Sequence, residues 1–116
     1  MASHNKLGRL GESIAKDFLK HRGFIIIAMN WRHLHYEIDI VARQQNILVF
    51  VEVKTRSTFK CGFPDESIDY KKEYRLREAA EIYIEQEDLH NEICFDIVSI
   101  VKNNFGEKVY YITDAF

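Results

Sequence analysis

The sequence predicts an α/β (α+β) domain in which two helices pack on a central β-sheet, in the order αβββαββ. Three observations carry this: two long segments repeat apolar residues at helical spacing, five short segments are β-branched and bounded by turn residues, and one strand is apolar on both faces. With 116 residues, 47% of them hydrophobic and 29% charged, and with one Pro and 5 Gly, the chain reads as one globular domain over 1–116 that needs no disulfide or metal staple.

From about His4 to Arg22, Leu7, Leu10, Ile14, Phe18 and Leu19 recur at helical spacing, and Gly23 supplies the stop. Three strands follow, Phe24 to Arg32, Glu37 to Arg43 and Ile47 to Arg56. Ser57 to Asp65 carries Gly62 and Pro64 without a period and is expected to form a surface loop beside the third strand. Leu76, Ala79, Ala80, Tyr83 and Ile84 stripe a second helix from roughly Ile68 to Gln86. Ile93 to Val101 and Val109 to Thr113 close the chain as a hairpin turning over Lys102 to Gly106.

Cys61 and Cys94 have no close partner and no His at ligand spacing, which excludes a disulfide scaffold and a zinc site and fits reduced thiols in a cytoplasm. The first residues lack an apolar signal core, and no apolar run approaches ~18 residues, so neither export nor a membrane span is expected. The net charge of −2 lacks the basic excess usual for nucleic-acid partners, although clustered carboxylates that bind cations would lower the balance in the same way.

The chemistry is concentrated on the second and third strands. Along Asn46 to Lys54, alternation puts Leu48, Phe50, Glu52 and Lys54 on one face and Val49, Val51 and Val53 on the other. A strand apolar on both faces belongs mid-sheet, where ionised groups need a partner or a metal. The preceding strand places Glu37, Asp39 and Val41 on one face. A two-residue turn at Gln45 and Asn46 would set Asp39 directly opposite Glu52, and Glu37 opposite Lys54. Opposed carboxylates destabilise a sheet unless a cation lies between them, and Mg²⁺ prefers such sparse oxygen ligands. The plainer alternative is a pair of exposed ion pairs on a solvated face.

Glu12 lies at the edge of the first helix's apolar arc, able to point toward the same carboxylates or to pair with Lys16 four residues on. Lys71, Lys72, Arg75 and Arg77 on the second helix, with Arg32 and Arg56, are candidates to contact phosphates, Lys72 and Arg56 foremost. His33 and His35 lack further metal ligands. Trp31, Tyr36 and Tyr74 are read as core aromatics before base-stacking ones, and Asp96 as a structural hydrogen-bond acceptor.

Gly11-Glu12, Asn30-Trp31-Arg32, the run from Glu37 to Ala42, Val49 to Arg56, Lys72 and Phe95-Asp96 together resemble the YraN family over nearly the whole chain. That family is similar to Holliday-junction resolvases and is placed in the restriction-endonuclease-like PD-(D/E)XK superfamily. The resemblance implies that fold, with a central mixed sheet, and a metal-dependent nuclease cutting nucleic-acid phosphodiester bonds, DNA ahead of RNA. It maps metal ligation by Mg²⁺ or Mn²⁺ onto Asp39 and Glu52, the catalytic lysine onto Lys54 and the helix acid onto Glu12, and junction cutting would favour a homodimer. Ile38 stands where the superfamily has Pro, Tyr36 where a Gly usually precedes Glu-Ile-Asp, and Cys94 where an Arg precedes Phe-Asp. Two rivals keep the fold without the chemistry: a non-catalytic nucleic-acid-binding module and a protein-interaction adaptor.

Overall fold

A computed structural model describes residues 6–57 and 69–116. The elements follow the expected order: α1 (Lys6–His21), β1 (Ile25–His33), β2 (Tyr36–Gln44), β3 (Ile47–Arg56), α2 (Tyr70–Glu87), β4 (Glu92–Asn103) and β5 (Gly106–Ile112). The loop expected from Ser57 to Asp65 lies, beyond Ser57, outside the described residues, as do the starts expected for the helices at His4 and Ile68.

The sheet order is β1-β2-β3-β4-β5, antiparallel throughout except for the parallel β3–β4 pair joined through α2, so the sheet is mixed and β3 is its central strand. Both faces of β3 are covered, as its apolar alternation requires. On one face Ala15 and Leu19 of α1 pack on Ile40, Ala42, Val49, Val51, Val98 and Ile100. On the other, Ala79, Ala80 and Tyr83 of α2 pack on Ile38, Val41, Leu48, Phe50 and Phe95. The arrangement is compatible with a restriction-endonuclease-like fold. No described helix is long and apolar enough to cross a membrane.

α1 ends as its glycine predicts. Gly23 takes φ 91°, and the Phe24 and Gly23 N–H groups bond the Leu19 and Lys20 carbonyls at 3.0 Å each, which satisfies two orphan acceptors of the last turn. Of its expected stripe, Leu19 is buried and Ile14 and Phe18 pack on the core, but the arc is centred elsewhere. Gly11, Glu12, Ala15 and Leu19 face the sheet, and Leu10 is exposed, because small residues let the helix approach β3 closely. A Cβ on Gly11 would collide with the Thr55 side chain. Gly11→Ala should therefore lower the denaturant midpoint: overpacking of about 1–3 kcal/mol exceeds the roughly 1 kcal/mol gained in helix propensity. Thr55→Ala in the same chain should restore part of the loss.

Candidate functional site

The β2–β3 turn falls at Gln45 and Asn46, with Gln45 at φ 55°, and the pairs run from Gln44↔Ile47 to Ile40↔Val51 in the expected register. There the ladder stops. The directly opposed Asp39–Glu52 and Glu37–Lys54 pairs expected from alternation do not form rungs; instead Asp39 Oδ2 accepts the Val53 N–H at 2.9 Å. A carboxylate thus takes the place of a strand carbonyl, and β2 parts from β3 at that level.

β1 and β2 change face together at this point. Met29 and Ile40 turn toward α1, whereas Trp31 and Ile38, two residues away in each strand, turn toward α2. Strict alternation would keep each of these pairs on one face, so the expected sharing of a face by Glu37, Asp39 and Val41 does not follow from a regular strand here. The irregular pair is Asn30, at φ 52°, and Asp39, which are missing from a register that keeps the same offset on either side of them, from Ala28↔Val41 to His33↔Tyr36, beyond a bulge between Ile26 and Ala28. Asn tolerates the left-handed region better than most residues, so it can host the twist that frees Asp39 from the ladder.

The parting strands open a cleft of about 490 Å³. Glu12 enters from α1, Asp39 from β2, Glu52 from β3, and Lys72 and Arg75 from α2, with Val53, Thr55, Tyr36 and Glu37 completing the walls. Glu12 and Glu52 are buried. The sequence-derived set therefore divides: Asp39, Glu52, Glu12 and Lys72 meet in the cleft, while Lys54, Arg32 and Arg56 are not among its described lining residues. Lys54 is half-buried two positions beyond Glu52. Arg32 lies 3.5 Å from Glu37, at the cleft's rim.

Lys72 is placed by the start of α2. Asp69 caps the helix, its side chain accepting the Lys71 N–H at 3.1 Å, and Lys72 three residues after the cap pairs with Glu52, whose side chain is only 6% exposed. The same turn carries Tyr74, which is exposed and not core as expected, because it points away from the Leu76–Ala79–Ala80–Tyr83 stripe. Tyr36 ties β2 to α2 by donating to Glu78 Oε1 at 2.9 Å.

The electrostatics of the cleft favour a cation. Burial, and then the Glu52 charge, push the Asp39 carboxyl well above the usual carboxylate range, with the Val53 N–H opposing them and Glu12 adding to them. The Lys72 ammonium is held above the ordinary lysine value by Glu52, with Asp39 adding, against its own partial burial, the largest single influence. Among the described residues no three His, Cys, Asp or Glu side chains form a metal-holding group by themselves. An ion here would have two carboxylates and complete its shell from main chain and water, which suits Mg²⁺. The ammonium seated on Glu52 marks where positive charge is already stabilised, so the donor set fits such an ion.

On the opposite side of the sheet's centre, Asp96 serves as the hydrogen-bond acceptor expected of it. It takes the Asp114 N–H at 2.8 Å, the Cys94 thiol at 3.1 Å and the Tyr111 hydroxyl. Burial first and Asp96 second raise the Cys94 thiol from 9.0 to about 11, and the same causes raise Tyr111. Both groups are acids whose folded values lie above their unfolded ones, so stability is present at neutral pH and lost as pH climbs through that window. Melting followed from pH 8 to 11 should fall from about pH 9 upward, and Cys94→Ser should flatten the first part of the descent.

The family model of the uncharacterised protein family UPF0102 matches residues 11–100. A UPF0102 protein of Christiangramia forsetii is 40% identical over 116 residues, covering 100% of this chain and 98% of the relative. One from Dictyoglomus turgidum is 42% identical over 117 residues, with 98% and 99% covered. One from Bacteroides thetaiotaomicron is 40% identical over 116 residues, with 100% and 96% covered.

Proposed function

The chain belongs to the UPF0102 family, the YraN family of the sequence resemblance, and from that premise we propose that it is a metal-dependent nuclease acting on DNA. The observation that carries the reading is the meeting of Asp39 and Glu52 in one cleft, where the β2–β3 ladder ends and a cation is already stabilised. A divalent ion bound there, Mg²⁺ or Mn²⁺, would polarise a phosphate and acidify a water.

Within this reading Asp39 and Glu52, with the Val53 carbonyl, would hold the ion. The Val53 N–H fixes the Asp39 carboxylate through Oδ2, which orients it before any ligand arrives. Lys54, half-buried two positions beyond Glu52 on the same strand, would position the attacking water and stabilise charge developing on the phosphorus oxygens. Glu12 supports the carboxylate pair from α1, and Arg75 and Lys72 border the opening where a phosphate backbone would approach.

The test is incubation with single-stranded, duplex and branched DNA in Mg²⁺ or Mn²⁺, with Asp39→Asn as the control for contaminating nuclease. Divalent-dependent cutting of at least one substrate that disappears in Asp39→Asn is the expected result; wild-type activity no greater than that of the control on every substrate would sink the proposal. Binding without cutting would favour the non-catalytic module instead. Lys54→Met should abolish cleavage while leaving Mn²⁺ affinity intact.

A further inference from the structure

Lys72 does more in this geometry than flank a phosphate. It sits in the first turn of α2, at the positive end of the helix dipole, where a cation is disfavoured. Its ammonium nevertheless lies on Glu52, is attracted also by Asp39, and has Arg75 as a like-charged neighbour on the same helix. Among the described residues, the carboxylates of Glu52 and Asp39 are what attract it there. Glu52 is the more deeply buried partner, its side chain 6% exposed against 45% for Lys72, so the pair joins a buried anion to a cation that also faces solvent.

We propose that Lys72 is a tethered counter-cation: it neutralises the carboxylate cleft when no divalent ion is present, is displaced from Glu52 when one binds, and then becomes available at the helix start to a phosphate. This rests on the metal-binding reading of Asp39 and Glu52 and adds to it a switch, because one buried carboxylate cannot give the same lone pairs to an ammonium and to a metal. The intramolecular cation also keeps Glu52 from facing Asp39 with its charge uncompensated. Once displaced, the ammonium lies at a helix N-terminus that itself favours an anion, so metal loading and backbone binding reinforce each other.

The full-length chain is titrated with Mn²⁺ alone, affinity being read by electron paramagnetic resonance and melting temperature with and without the ion. Wild type, Lys72→Met, Lys72→Arg and Glu52→Gln are compared. Lys72→Met should bind Mn²⁺ on the order of 10-fold more tightly, since the competing cation is gone. Without the ion it should melt below wild type, and Mn²⁺ should raise its melting temperature by more. Lys72→Arg, which keeps a competing cation, should stay near the wild-type affinity. Equal Mn²⁺ affinity in wild type and Lys72→Met overturns the displacement while leaving the metal reading standing, provided that Glu52→Gln weakens binding. If Glu52→Gln binds as wild type does, or no form binds, the metal reading and the switch fall together. Should Lys72→Met prove too unstable to titrate, Lys72→Gln keeps a hydrogen-bond donor to Glu52 without the charge and is expected to show the same tightening.

Discussion

Asp39→Asn and Glu52→Gln should each reduce divalent-dependent DNA cleavage on the order of 100-fold or more, the scale on which a single charge-stabilising group at a reacting centre acts. The geometry separates this loss from unfolding. Asn at 39 retains a side-chain oxygen that can accept the Val53 N–H, so the end of the β2–β3 ladder keeps its closure. It also removes a charge that burial and Glu52 disfavour. Because the folded-state value of Asp39 is raised, its ionisation costs stability as pH rises above the ordinary carboxylate range, and the neutral variant escapes that cost. Asp39→Asn should therefore melt higher than wild type at neutral pH without divalent ions, yet cut nothing. A variant that loses activity and melting temperature together would show that Asp39 is there for the fold.

Glu52→Gln should behave differently. Its carboxylate has a cationic partner, and the amide leaves the Lys72 ammonium with a weaker acceptor in a half-buried position. Melting without metal should fall even as cleavage disappears. Opposite signs at two residues that face one cleft are expected where burial and a neighbouring charge disfavour one carboxylate's ionisation while the other is seated on a cation. Thermal melting in a chelating buffer, set beside the cleavage assay, reads both.

Much of this site is legible in the sequence because β3 announces itself. Valines on one face and Leu48 and Phe50 on the other require a central strand covered by two layers, and the two-residue turn at Gln45 and Asn46 fixes the register as far as Ile40↔Val51. Extrapolating one rung further fails, since alternation assumes an unbroken ladder, and the left-handed Asn30 breaks it in the neighbouring strand. The pairing of Lys72 with Glu52 was equally out of reach: it depends on where α2 begins, which the Asp69 cap sets, and on the parallel placement of β4 that brings α2 across the sheet. Glu12 shows a third limit. The stripe of large apolar residues on α1 finds Leu19, Ile14 and Phe18 against the core but misses the arc's centre, because the residues in closest approach are Gly11 and Ala15, small ones that carry little weight in a hydrophobic pattern.

The largest expected effect on stability lies away from the cleft, at Asp96. It is 2% exposed and accepts from three donors on separate segments: the Cys94 thiol of its own strand, the Tyr111 hydroxyl of β5 and the Asp114 N–H beyond β5. Next to it the Ala115 N–H bonds the Phe95 carbonyl at 2.7 Å, and Phe116 packs on Phe95 with ring centroids 5.0 Å apart, so one carboxylate helps to hold residues 114–116 against β4. Asp96→Ala strands those donors and leaves a void. Bonds to a charged acceptor contribute about 1.5–3 kcal/mol each and are not additive, so a loss of roughly 3–5 kcal/mol is expected, on the order of 4 °C of melting temperature per kcal/mol. Tyr111→Phe, which removes one donor and keeps its ring against Phe18 and Phe24, should cost about 1–2 kcal/mol. In the double variant the two losses should sum to less than their separate values, because Asp96→Ala has already deprived Tyr111 of its acceptor. Strict additivity in denaturant melts, or an Asp96→Ala loss below about 1 kcal/mol, would mean that water satisfies these donors and that the carboxylate holds nothing together.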